Sequence, residues 1–160
     1  MYLKIGEAIM YFVDRNRIEE RLQYIEENIQ LFQKTTSWDS KLAQLALERM
    51  VHGVIEAIID VGNAMIDGFI MRDPGSYEDI IDILSDERVI GEEDADPIKE
   101  VIACRKTLVR SYTSVDHVKL EQIMHKNIDV LKQFPDYVRR YLTEELGPVS
   151  AFLPEDSKGE

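Results

Sequence analysis

Residues 47–66, LERMVHGVIEAIIDVGNAMI, read as one helix with two distinct faces. At about 100° per residue, Leu47, Val51, Val54, Ile55, Ile58, Ile59, Met65 and Ile66 cover one broad apolar side, and Phe69 extends it. On another side Arg49, His52, Glu56, Asp60 and Asn63 recur at spacings of three, four, four and three. Spacing of that kind stacks side chains along one line of a helix. The period predicts a long helix over about 39–71, with the apolar side turned to neighbouring helices.

The flanking stretches carry the same period. Ile18, Leu22, Ile25, Ile29 and Phe32 form a bundle stripe in a helix predicted from an N-cap at Asp14 to about Lys34. Asp73-Pro74-Gly75 is a stop and turn, and Ser76 with Asp79 resembles a capping box opening a short helix that carries Ile80, Ile81, Ile83 and Leu84. Residues 91–96 read as an acidic loop without EF-hand ligand spacing, with Asp96 capping a helix that starts at Pro97. After Thr113-Ser114-Val115-Asp116, one last helical stretch bears Val118, Ile123, Ile128, Leu131 and Phe134. It breaks or kinks at Pro135 and continues through Tyr137, Val138, Tyr141 and Leu142. No strand pattern of any strength is present. The expected architecture is an all-α antiparallel bundle of four to five main helices over 14–146. Residues 1–13 are an N-terminal extension, with Met10 a second possible start, and 147–160 a mobile tail.

Composition narrows the function classes. A net charge of −12 and a pI near 4.7 disfavour loose, charge-driven binding to nucleic acid, DNA included, or to anionic membrane, and leave room for a local basic site. No apolar run reaches the roughly 18 residues of a membrane span. The single cysteine, Cys104, fits a reducing cytoplasm and reads as a small core residue. His52, His117 and His125 form no metal-ligand cluster, and His117 and His125 are expected on solvated helix surfaces. No metal or cofactor is implied.

Against this acidic background stands Arg105-Lys106-Thr107-Leu108-Val109-Arg110-Ser111-Tyr112, three cations without an acid. On the helix from Pro97, Ile98, Val101, Ile102, Leu108, Val109 and Tyr112 fall within about 120° of one another, and Arg105 falls in their midst. An unpaired guanidinium there would be costly. Arg105 therefore either meets a carboxylate, Glu56 or Asp60, or lines a pocket for an anion. Arg110 lies about 140° from it. The two converge only through a helix irregularity or across a twofold axis. Tyr112 is expected to pack on the core with its hydroxyl at a polar edge.

This stretch resembles the motif Arg-Asn-x-Leu-Val-His-x-Tyr of the HepT-like branch of the HEPN superfamily. Ile59-Asp60-Val61-Gly62-Asn63 looks like that family's second-helix segment, and Val115-Asp116 follows the motif as it commonly does there. The likeness in helix order extends over roughly 14–145. It implies a homodimeric helical bundle paired with a nucleotidyltransferase antitoxin, and metal-independent cleavage of RNA. By the resemblance Arg105 holds the scissile phosphate. Lys106, Glu56, Asp60 and Asn63 contribute to an RNA or nucleotide site, and Tyr112 is an acceptor for adenylylation. Lys106 replaces the family Asn and Arg110 the family His. Arginine stays protonated, so Arg110 can bind phosphate but cannot act as a neutral base. A ribonuclease toxin with altered activity is one expectation. The other is an inactive dimeric module that binds RNA, nucleotide or a nucleotidyltransferase. A scaffold in which Arg105 is merely paired is the third.

Overall fold

The computed structural model describes residues 2–5, 8–11 and 13–147, with side chains from Val13 onward. A short antiparallel hairpin, β1 (Tyr2–Ile5) and β2 (Ala8–Tyr11), precedes six helices. These are α1 (Arg15–Lys34), α2 (Lys41–Gly68), α3 (Tyr77–Asp86), α4 (Glu92–Arg110), α5 (His117–Lys126) and α6 (Ile128–Leu146). None is long and apolar enough to cross a membrane. The helices make the all-α bundle expected, and the hairpin adds two short strands that no pattern in the sequence marked. Four-residue strands are too short for alternation to be told from helical spacing. Residues 148–160, expected as a mobile tail, lie outside the described residues.

The helix starts follow local chemistry. Asp14 accepts a hydrogen bond from the Arg17 amide, Ser40 from Ala43 and Ser76 from Asp79, each satisfying a donor the first helical turn leaves free. Helix α4 begins earlier than expected. Residues 92–96 are its first turns, not a loop, because the Asp94 carboxylate reaches back to the Gly91 amide at 3.2 Å. Glu92, Glu93 and Asp94 also suit the positive helix start. Pro97 consequently lies inside the helix.

The last stretch is two helices, and they divide at Asn127. That residue is buried, and its amide donates to Glu100 Oε1 at 2.7 Å and to the Ile123 carbonyl at 2.9 Å. Pro135, expected to mark the break, lies within α6.

Four long helices form a ring of contacts, α1 on α2, α2 on α4, α4 on α6 and α6 on α1. Helix α3 packs across α2 and α4, while α5 touches α2, α4 and α6. Helix α2 is the common element, and its apolar side is buried from Leu47 to Ile66. The five-residue stripe of α1 is fully inside. Gly62 lets α3 approach α2, since a Cβ there would run into Ile80.

Candidate phosphate-binding site

The final turns of α4 and the start of α3 enclose a recess of about 260 Å³. Arg105, Lys106, Val109 and Arg110 border it from α4, and Tyr77 and Glu78 from α3. Three cations and one carboxylate thus face one concavity in a strongly acidic chain.

Arg105 is held from two sides. Its Nε donates to Glu56 Oε1 on α2 at 2.6 Å, and its guanidinium carbon lies 4.5 Å from the Tyr77 ring centre. The hydrogen bond to Glu56 raises its pKa above the usual arginine value, outweighing partial desolvation. Among the described residues its two terminal nitrogens make no hydrogen bond, and the side chain is 27% exposed. A planar fork with free ends suits two oxygens of one phosphate.

The expected apolar stripe therefore needs correction. Ile98, Val101, Ile102 and Leu108 are buried, whereas Val109 lines the recess and Tyr112 is 66% exposed. Tyr112 lies past Ser111, which ends the helix, so helical angles no longer place it. Arg110 reaches the same recess as Arg105 within one regular helix, because the opening spans more than one side of α4. Neither an irregularity nor a twofold axis is required for both to border it.

The polar row of α2 divides. Glu56 meets Arg105, and one turn earlier His52 brings its Nε2 to 3.4 Å from the same Glu56 oxygen. Asp60 pairs instead with Arg21 of α1 at 3.3 Å. It borders a groove of about 470 Å³ between α1 and α2 with Arg49, Gly53 and Glu56. Asn63 is exposed and borders a second groove with Arg17, Arg21 and Asp67. Two helical turns, about 10 Å, separate Asn63 from Glu56, so the recess and the row are joined only at Glu56.

Two other expectations change. His117 is not a solvated surface residue. It pairs with Glu48 at 2.8 Å, and the side chains are only 18% and 17% exposed. Cys104 is half-buried, and burial pushes its thiol pKa up. Tyr77, the aromatic floor under Arg105, has a weak signal in the sequence. It is the first residue after the Ser76 cap and lies outside the isoleucine stripe of α3. Among the described residues no three metal-ligating side chains converge.

The sequence model of the family described as Ribonuclease HepT-like matches residues 18–138. A Bacillus subtilis (strain 168) protein provisionally named RNase YutE is 52% identical over 143 residues, covering 89% of this chain and 99% of that protein. The structure of YutE, described as a cytosolic protein of unknown function from Bacillus subtilis, superposes with a TM-score of 0.86. It covers 89% of this chain and all of that one, at 52% identity. A tri-AMPylated Shewanella oneidensis HEPN toxin in complex with its MNT antitoxin shares the fold, with a TM-score of 0.70. The identity is 18%, over 79% of this chain and 98% of the toxin. On the family match and the half-identical relative, this chain belongs to the HepT-like ribonuclease family.

Proposed function

We propose that this protein is the ribonuclease member of a toxin–antitoxin type pair, a cytoplasmic homodimer that cleaves RNA without a metal ion. The observation that carries this reading is the recess of Arg105, Lys106 and Arg110 in a chain of net charge −12. Diffuse attraction of RNA is weak here, so binding is local. The free end of Arg105 takes the non-bridging oxygens of a phosphate, and Arg110 and Lys106 neutralise charge beside it. A fixed guanidinium at that point stabilises the charge that develops as phosphorus becomes five-coordinate, an effect of the order of 10²–10³ in rate for one such donor. Glu56 orients Arg105, while Asp60 and Asn63 extend the polar surface along α2. By likeness to the AMPylated Shewanella oneidensis toxin and its MNT antitoxin, exposed Tyr112 is the acceptor through which a nucleotidyltransferase partner silences the protein.

A second reading is favoured by Arg110, which occupies the position of the family histidine. A permanently protonated side chain there suits a module that binds RNA, nucleotide or partner without turning RNA over. RNA cleavage in chelator by the purified protein, beside Arg105→Ala and Arg110→His, separates the two. Cleavage by the native chain that Arg105→Ala abolishes supports the ribonuclease. Silence of the native chain with activity in Arg110→His supports the binding module. Silence of all three rejects cleavage.

A further inference from the structure

If RNA is cleaved at this recess, a proton acceptor is needed, and Arg110 cannot supply it. The chain has three histidines, and their surroundings differ. His125 is exposed and lies tilted against Phe32, ring centres 4.7 Å apart. His117 is engaged with Glu48 at the contact of α5 with α2. His52 alone reaches the Arg105 system. Its Nε2 and the Nε of Arg105 approach one and the same atom, Glu56 Oε1, at 3.4 and 2.6 Å. The His52 side chain is 32% exposed, so a substrate can reach it.

We infer that His52 is the general base of the cleaving site and that Glu56 is its positioning residue, an assignment that rests on the ribonuclease reading above. A carboxylate on Nε2 favours the tautomer protonated at that nitrogen and leaves Nδ1 with a free lone pair. Nδ1 takes the proton of a ribose 2′-hydroxyl, and the 2′-oxygen forms a bond to the adjacent phosphorus. The bond from phosphorus to the 5′-oxygen breaks with its electron pair. That oxygen takes a proton from water, and the hydroxide left behind recovers the proton held on His52. The products are a 2′,3′-cyclic phosphate and a 5′-hydroxyl. Arg105 serves both partners, holding the phosphate with its terminal nitrogens and sharing Glu56 with the imidazole. Among the described residues, the ion pair of His52 is with Glu56, which in turn pairs with Arg105.

The test uses the full chain and a mixed-sequence single-stranded oligoribonucleotide in chelator, with kcat followed across pH. The native protein, Arg105→Ala, His52→Gln and Glu56→Gln are compared, each checked for an unchanged thermal transition. The native kcat is expected to fall as pH is lowered, because a protonated base cannot accept the 2′-hydroxyl proton. His52→Gln should lower kcat by about 10²–10⁴-fold, the usual cost of losing a general base, and should lose that acid-side fall. Glu56→Gln should lower kcat less than His52→Gln does and retain the fall. If His52→Gln keeps the native rate, or is slowed equally at every pH with the fall intact, His52 is not the base and the ribonuclease reading stands without it. If the native protein leaves RNA uncut while binding it, the ribonuclease reading fails and the role of His52 falls with it.

Discussion

Arg105 stands at a core-facing angle of α4, yet its side chain remains about a quarter exposed because the recess opens beside it. That difference decides what the residue is worth. A fully buried ion pair that loses one partner costs about 3–5 kcal/mol, whereas exposed pairs contribute about 1 kcal/mol or less. Glu56 is 38% exposed, so the Arg105–Glu56 pair belongs with the second kind. Arg105→Ala should therefore shift the unfolding free energy by no more than about 1 kcal/mol in a urea titration. The same variant should weaken RNA binding and flatten its dependence on salt, because one phosphate contact is lost. A stability loss of several kcal/mol with unchanged RNA affinity would make Arg105 a structural residue and remove the site.

Among the helices, packing at Gly62 makes the sharpest case. An isolated helix would gain about 1 kcal/mol on losing a glycine, but here the added Cβ meets the Cγ2 of Ile80. Ile80 is β-branched and on a helix, so its χ1 has little freedom to yield. Gly62→Val should destabilise by about 1–3 kcal/mol through overpacking. Gly75→Ala, with only ordinary contact to Asp79, should change stability by less than about 0.5 kcal/mol. Equal midpoints for the two variants in chemical denaturation would contradict this packing. The stripes of α1 and α2 were legible because each repeats over several turns, whereas the packing role of Gly62 was not, because it depends on Ile80 of another helix. The division at Asn127 was not, because its cause is a bond to Glu100 on another helix. Pro135 drew the expected break away from it. The early start of α4 lay hidden in acidic residues that read equally well as loop or as a first helical turn. At the site, charge balance at a core-facing position called for a partner to Arg105 and left Glu56 and Asp60 both open, and only the packing of α2 on α4 selects Glu56. Tyr77 was not legible, since only the packing of α3 on α4 brings it beneath the guanidinium.

Across the whole molecule, arginine–carboxylate pairs join neighbouring elements. Arg139 of α6 clamps α1, donating to Glu19 Oε1 at 2.7 Å and to Glu26 Oε1 at 2.6 Å. Arg72 holds Asp79 at 2.8 Å beyond the end of α2. The hydrogen bond from Arg139 keeps Glu19 below the usual carboxylate range, and that from Arg72 brings Asp79 down to about 2. A carboxyl whose folded pKa is depressed adds stability that is complete above its unfolded value. That contribution is lost as pH falls through the folded value. Stability should thus begin to fall as pH drops into the ordinary carboxylate range, about 4, and should still be falling near 2, where Asp79 titrates. Protonation of unpaired acids works the other way in a chain of net charge −12, because it relieves self-repulsion. A single acid titration therefore mixes two opposed effects, and a variant is needed to separate them. Arg139→Ala leaves nearly all of that repulsion in place and removes the hydrogen bond that depresses Glu19. Its urea midpoint, measured from pH 7 to pH 2, should lie below the native one at neutral pH and converge on it as Glu19 becomes protonated in both proteins. The Arg72–Asp79 share, at the far acid end, should be unchanged. Parallel curves with a constant gap would mean that Arg139 stabilises by packing alone and that α1 and α6 are not joined by charge.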